Sequence, residues 1–184
     1  MSIDLEQYIW PTSFICTLIT DTIVIPNQYN ISIGIEPADP PLLAMGFRRL
    51  RTFVDTCLNN SIVMNQTHFL SDSLLNVDTN LVQFPTEPYD YFVGSVLMRK
   101  FQTITQKYFE ISFITIDSAM GDHVQYCIRD PEETGMDLSG DHNWWNMDSL
   151  DTGTGIDLTW EDLDLSDGPK FEPRIIKGGL SDKK

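Results

Sequence analysis

Residues 109–128 have the sequence FEISFITIDSAMGDHVQYCI, which gives the clearest indication of a β-sheet in this chain. Phe109, Ile111 and Phe113 alternate with polar residues, and a second alternating run follows the turn-forming residues 118–122. A period of two is typical of strands with one buried face. We therefore expect a β-hairpin, with a bulge where the alternation shifts by one residue.

The N-terminal region predicts a second hairpin. Residues 14–25 form a β-branched run that is too apolar to face water on both sides, so it should lie centrally in a sheet. Residues 26–28 would form the turn, because residues 29–35 again alternate between apolar and polar. Before this hairpin, Ser2 is expected to cap a short helix that ends at Ile9.

Two helices and two short strands complete the predicted body. Asp39 should cap the first helix ahead of Pro40, and the second helix should begin near Pro88. Short strands are expected at residues 61–65 and 81–84. The resulting order predicts an α+β domain over residues 1–129, a two-layer sandwich of a mainly antiparallel sheet with two helices.

The remaining residues, 130–184, differ sharply in composition, and we call them the arm. Residues 130–169 contain 12 acidic residues and no lysine or arginine, whereas residues 170–184 contain 5 basic and 2 acidic residues. Three of the four tryptophans also lie in the acidic part. This composition predicts an acidic, partly disordered C-terminal arm that binds something, because a simple solvated linker would lack the aromatic residues.

The apolar residues of the arm are the candidate binding site. Residues 156–163 place apolar side chains at spacings that suit either an added strand or a helical turn, and tryptophan is favoured in interface anchors. An alternative is that the arm folds back on the body, where Arg48, Arg49 and Arg51 would form a docking site for it. The predicted partner-binding residues are Trp144, Trp145, Leu150, Ile156, Leu158, Trp160, Leu163, Asp148, Asp151, Asp162 and Asp164.

The sequence offers little support for catalysis. The chain contains no nucleophile elbow, phosphate-binding loop or dinucleotide fingerprint, and its three histidines are not at metal-ligand spacing from one another or from the cysteines. We expect no catalytic residue, no cofactor and no metal. The hypothesis of a hydrolase rests only on a metal site that would join His123 and His142.

Charge and composition restrict the partners. A net charge of −15 disfavours direct binding of nucleic acid and favours a protein with a basic surface. The sequence shows no secretory signal and no apolar run long enough to cross a membrane, so we expect a soluble, cytoplasmic protein with reduced cysteines.

The leading hypothesis is a non-enzymatic interaction module, whose arm engages a basic and apolar groove on a macromolecular partner. The runner-up is an acidic nucleic-acid mimic that inhibits a DNA- or RNA-binding protein. Two further alternatives are an assembly component of a larger, for example viral, particle and a metal-dependent hydrolase.

Overall fold

The computed structural model describes residues 8–75, 79–154 and 159–163. It confirms an α+β fold built on one six-stranded mixed sheet. The strands are β1 (Tyr8–Ile19), β2 (Val24–Ile35), β3 (Ser61–Asn65), β4 (Leu81–Phe84), β5 (Ile111–Ser118) and β6 (Tyr126–Ile128). The order across the sheet is β4-β3-β1-β2-β5-β6. The β1–β3 and β3–β4 pairs are parallel, and the other three pairs are antiparallel.

Helices α1 (Pro40–Phe53) and α3 (Asp90–Thr105) pack on one face of this sheet, and α2 (Ser71–Leu74) is a single turn. Helix α1 continues into a π-helical turn, Val54–Leu58. Inward-facing side chains of β1 and β2 meet both long helices in one hydrophobic core. A smaller cluster of Ile19, Met64 and Leu81 lies apart from this core.

The predicted N-terminal helix is contradicted at its last two residues, and the predicted first turn is wrong in position. Tyr8 and Ile9 belong to β1, and residues 1–7, which include Ser2, lie outside the described residues. The hairpin reverses at residues 20–23, where the Thr20 hydroxyl accepts hydrogen bonds from the amides of Thr22 and Ile23. Pro26 lies within β2 opposite Thr17, at a point where β2 is not paired with β5, so its missing N–H breaks no ladder.

The predicted side-chain cap of α1 is absent. Asp39 precedes the helix but makes no capping hydrogen bond through its side chain. Pro41 occupies the second helical position and has no N–H, which removes one of the two amides that such a cap usually binds. The proline-started helix itself and the helix at Asp90–Thr105 are confirmed.

Helix α3 is buried on nearly all sides, since a further layer covers the face that points away from the sheet. That layer consists of residues 131–154 and 159–163, which we call the packed segment, and it contains three 3₁₀ turns. The turns are Pro131–Thr134, Trp144–Asn146 and Trp160–Asp162. Leu138, Trp144, Trp145, Leu150 and Trp160 join the same core cluster as the body, so the predicted boundary after residue 129 does not coincide with an edge of the core.

Candidate functional site: the packed acidic segment

Lys100 of α3 anchors the centre of the packed segment. Its side chain is 0% exposed, and its Nζ donates hydrogen bonds of 2.7 Å to the Trp144 carbonyl and 2.8 Å to the Met147 carbonyl. The ammonium also lies 5.2 Å from the ring centre of Phe53. Two carbonyls and an aromatic face compensate in part for burying the charge. Burial nevertheless lowers the pKa of Lys100 from 10.5 to about 8.

Trp144 and Trp145 fill the space around this lysine. Trp144 stacks near Phe53, with ring centres 6.3 Å apart, and its Nε1 donates a 2.7 Å hydrogen bond to the Gln83 carbonyl. Trp145 donates from Nε1 to the Leu138 carbonyl within the segment. Both indoles are therefore buried with their N–H groups satisfied, which is the usual condition for tryptophan in a core.

A second anchor joins α1 to the end of the packed segment. The Arg49 guanidinium donates a 2.7 Å hydrogen bond to Asp148 Oδ1, and Trp160 Nε1 donates to the same oxygen at 2.8 Å. The guanidinium carbon lies 4.6 Å from the ring centre of Trp160 and 5.0 Å from that of Tyr108. The prediction that the arginine face of α1 docks the chain's own arm is confirmed at Arg49.

The packed segment also covers the β4 edge of the sheet. The backbone N–H of Gln83 donates to the Thr152 carbonyl at 3.1 Å, and the Thr152 hydroxyl donates to the Leu81 carbonyl at 2.7 Å. Asp151 organises the adjoining turn, because its Oδ1 accepts from the amides of Gly153 and Thr154. An edge strand left open would present its backbone groups for unwanted pairing, and these contacts occupy part of that edge.

The apolar half of the predicted site thus packs inside the chain. Trp144, Trp145, Leu150 and Trp160 are between 2 and 8% exposed, and Leu163 packs against the core. Burial of their surface against α1, α3 and β4 explains why they face inward. They could contact a partner, as predicted, only if the segment left the body.

The carboxylates divide into two groups. Asp148 and Asp151 are half-buried: Asp148 attaches the segment to Arg49, and Asp151 orders the turn at Gly153 and Thr154. Asp130, which directly precedes the segment, and six other acidic residues within it are exposed. They are Asp130, Glu132, Glu133, Asp137, Asp141, Glu161 and Asp162.

Three of the exposed carboxylates have a local structural role as well. Asp130 accepts a hydrogen bond from the Glu132 amide. Asp162 accepts hydrogen bonds from the Thr159 amide and hydroxyl, and these bonds lower the pKa of its carboxyl. Ser139 does the same for Asp137, whose pKa is also lowered. Thr159 and Asp162 form a capping box. Ile156, Leu158 and Asp164 lie outside the described residues.

Sequence reasoning missed Lys100. A lone lysine between apolar positions of a helix is ordinarily placed at the surface, because its stem can cover apolar residues while its ammonium reaches water. One signal was available. Helix α3 has apolar residues around its whole circumference, a pattern typical of a helix that is covered on both sides.

The groups considered for catalysis are dispersed. His123 Nδ1 lies 3.4 Å from Asp117 Oδ1 at the exposed β5–β6 turn, whereas His142 is exposed in the packed segment. Within residues 8–75, 79–154 and 159–163, no group of three histidine, cysteine or acidic side chains is arranged to hold a metal ion. Burial raises the pKa of both the Cys16 and the Cys57 thiols to about 12, so these two thiols remain protonated and weakly nucleophilic.

The chain matches no model of a known protein family, and its sequence is not significantly similar to any curated protein. Among the described helices, none has the length and apolar character needed to cross a membrane.

Proposed function

We propose that this protein is a non-enzymatic interaction module, which binds a partner protein with a basic surface through the exposed carboxylates of the packed segment. The observation that carries the proposal is that one set of side chains in that segment attaches it to the body, while another set is exposed to solvent. Its tryptophans and the half-buried Asp148 attach it to the body, while six of its acidic side chains and the adjoining Asp130 are exposed to solvent, with no lysine or arginine among residues 130–163.

Anchoring the segment changes how these charges can act. Lys100 and Arg49 fix it at two separated points, so the exposed carboxylates occupy defined positions on a folded surface. Such a surface accelerates association with a basic partner and discriminates against acidic ones, and its effect falls as salt screens the charges. This mechanism requires no tryptophan to leave the core.

The same observation favours a second candidate, a nucleic-acid mimic. Mimicry of a phosphate track needs negative charges held at fixed positions on a rigid surface, and a flexible arm would not provide them. The hydrogen bonds of Trp144 to Gln83 and of Thr152 to Leu81, and the packing of Arg49 over the Trp160 ring, attach the segment along its length. If the protein is such a mimic, the basic surface that it binds is the DNA- or RNA-binding site of the partner.

The experiment compares two variants with equal changes in charge. The test variant combines Glu132→Gln, Glu133→Gln and Glu161→Gln, whose side chains are exposed and have no structural hydrogen bond in the described residues. The control combines Asp72→Asn, Glu110→Gln and Asp122→Asn, three exposed acids on the body. Immobilised proteins are used to capture partners from an extract of the source cells. The dissociation constant of each purified partner is then measured at about 50 and 200 mM salt.

The proposal predicts that the test variant binds its partner at least tenfold more weakly at low salt, with a shallower salt dependence, while the control binds like the wild type. Equal loss in both variants would mean that net charge alone is responsible and would contradict a site on the packed segment. Addition of duplex DNA or RNA at about 200 mM salt then separates the candidates, because non-specific binding of nucleic acid to a basic surface is weak there, whereas a mimic is still displaced competitively from a nucleic-acid-binding site.

A further inference from the structure

A polar cleft separates the C-terminal half of α3 from residues 139–146 of the packed segment. Its volume is about 450 Å³, within the range of small-molecule sites. Arg99, Gln102 and Gln106 line it from the helix, while Ser139 and Asp141 line it from the segment. The cleft is distinct from the exposed glutamates tested above and has a different chemistry, because it combines a cation with several uncharged hydrogen-bonding groups.

Arg99 is the most informative residue of this cleft. Its Nε donates a 2.8 Å hydrogen bond to Asn146 Oδ1, which fixes the plane of the guanidinium. Within the described part of the chain, its two terminal nitrogens have no hydrogen-bond or ion-pair partner. The chain has 27 acidic residues and only 12 lysines and arginines, yet Arg99 is left with its terminal nitrogens available at a cleft.

The wall opposite α3 is held in shape by its own hydrogen bonds. Asn146 Nδ2 donates to the carbonyls of Leu138 and Gly140. Gly140 has a φ of +112°, and a Cβ there would lie 2.9 Å from Asn143 Nδ2. Arg99, Asn146 and the backbone of this wall are therefore preorganised, which reduces the entropic cost of binding a ligand.

We propose that this cleft binds a small polar carboxylic acid that also carries a hydroxyl or amino group. The two terminal nitrogens of Arg99 match the two oxygens of a carboxylate, which arginine binds in a planar, bidentate manner. Asp141 accepts the hydroxyl or ammonium hydrogen of the ligand, and the amides of Gln102 and Gln106 contact its remaining polar atoms.

Asp141 also determines which anion the cleft prefers. A carboxylate brings one negative charge near this aspartate, whereas inorganic phosphate at neutral pH brings between one and two. Repulsion between like charges at short range therefore selects the carboxylic acid over phosphate. An acid without a donor group, such as propionate, leaves Asp141 without a partner and binds less well.

Titrations followed by nuclear magnetic resonance test this assignment with the full chain. The probes are L-lactate, the free L-amino acids, propionate and inorganic phosphate, and the reporters are the Arg99 Nε–H and the side-chain amides of Asn146, Gln102 and Gln106. We expect saturable shifts for lactate or at least one amino acid, with dissociation constants on the order of millimolar. Propionate and phosphate should bind at least threefold more weakly.

Three variants and one matched control make the test specific. Arg99→Met should weaken binding at least tenfold, whereas Arg51→Met, which removes an exposed arginine of α1 outside the cleft, should leave it unchanged. Gln106→Ala, at an exposed position, should weaken binding severalfold even if Arg99→Met disturbs folding. Asp141→Asn should improve phosphate binding relative to the carboxylic acids.

The proposal is overturned if neither lactate nor any amino acid produces saturable shifts at these reporters. It is equally overturned if phosphate binds the wild type as tightly as the carboxylic acids, or if folded Arg99→Met and Gln106→Ala both retain wild-type affinity. None of these results tests the exposed glutamates. A failure of this inference therefore leaves the proposed partner binding unaffected, and the reverse also holds.

Discussion

Arg49 and Asp148 form an ion pair across 99 positions of the sequence, with 2.7 Å between Nη1 and Oδ1. Their side chains are 11 and 26% exposed, and Trp160 covers the guanidinium while donating to the same carboxylate oxygen. This arrangement makes Asp148 the point at which the arm, α1 and the last tryptophan meet. It explains why an aspartate in the most acidic stretch of the chain contributes to stability.

Removal of either partner of this pair should be costly, since the remaining charge would be largely buried without its counterpart. We expect Arg49→Met and Asp148→Asn each to lower the free energy of unfolding by about 2 to 3 kcal/mol. A double-mutant cycle in urea should yield a coupling of about 1 to 2 kcal/mol. The exposed Arg51–Asp55 pair provides the control, with an expected coupling below about 0.5 kcal/mol. Equal couplings for both pairs would show that Asp148 does not anchor the segment.

Truncation after Arg129 should destroy cooperative folding. The deletion removes Leu138, Trp144, Trp145 and Leu150 from the core and strips the cover from Lys100 and the outer face of α3. The sequence alone suggested the opposite, an autonomous body over residues 1–129. Thermal unfolding followed by near-ultraviolet circular dichroism decides between them, because a molten product loses this signal while retaining secondary structure. A chain ending after Leu163 serves as the control, since it keeps every described contact. A sharp melt of the shorter chain would restore the boundary at 129.

Lys100 should give stability a distinctive dependence on pH. Its pKa falls from 10.5 to about 8 on burial, so the folded state binds this proton more weakly than the unfolded state does. Stability attributable to Lys100 is therefore lowest below pH 8 and rises as the pH increases from about 8 to 10.5. Relative to Lys100→Met, the wild type should gain up to about 1.4 kcal/mol per pH unit in this window. Urea titrations of both proteins between about pH 7 and 8.5 measure the difference.

The difference between the two proteins is the informative quantity, because other buried groups act in the opposite direction. Cys16 and Cys57 have raised pKa values, so the unfolded state loses their protons first and stability falls above about pH 9. The contribution of Cys16 is common to the wild type and Lys100→Met and cancels. The contribution of Cys57 differs between them, because the ammonium of Lys100 lowers the pKa of this thiol, so the comparison is read at about pH 7 to 8.5, before the thiols of the unfolded chain titrate extensively. A difference that does not change with pH would indicate that Lys100 keeps an ordinary pKa and is reached by water.

The sequence by itself determined the local structure and the distribution of charge. Period-two alternation at Ile111 and Phe113 and helical spacing from Val93 to Ile104 depend only on neighbouring residues, and both elements formed as predicted. The first turn was misplaced because Pro26 resembles a turn residue, whereas the Thr20 hydroxyl supplies the hydrogen bonds that reverse the chain.

Only the tertiary structure decided what the arm does with its aromatic residues. The pattern around Trp144 and Trp160 suits a partner's groove or the chain's own core equally well, because apolar residues pack against any complementary apolar surface. The choice rests on contacts between distant residues: Lys100 with the Trp144 carbonyl, Arg49 with Asp148, and Gln83 with Thr152. Such pairs depend on how α1, α3 and β4 are placed in space, and burial of apolar surface between them turns an acidic arm into a layer of the fold.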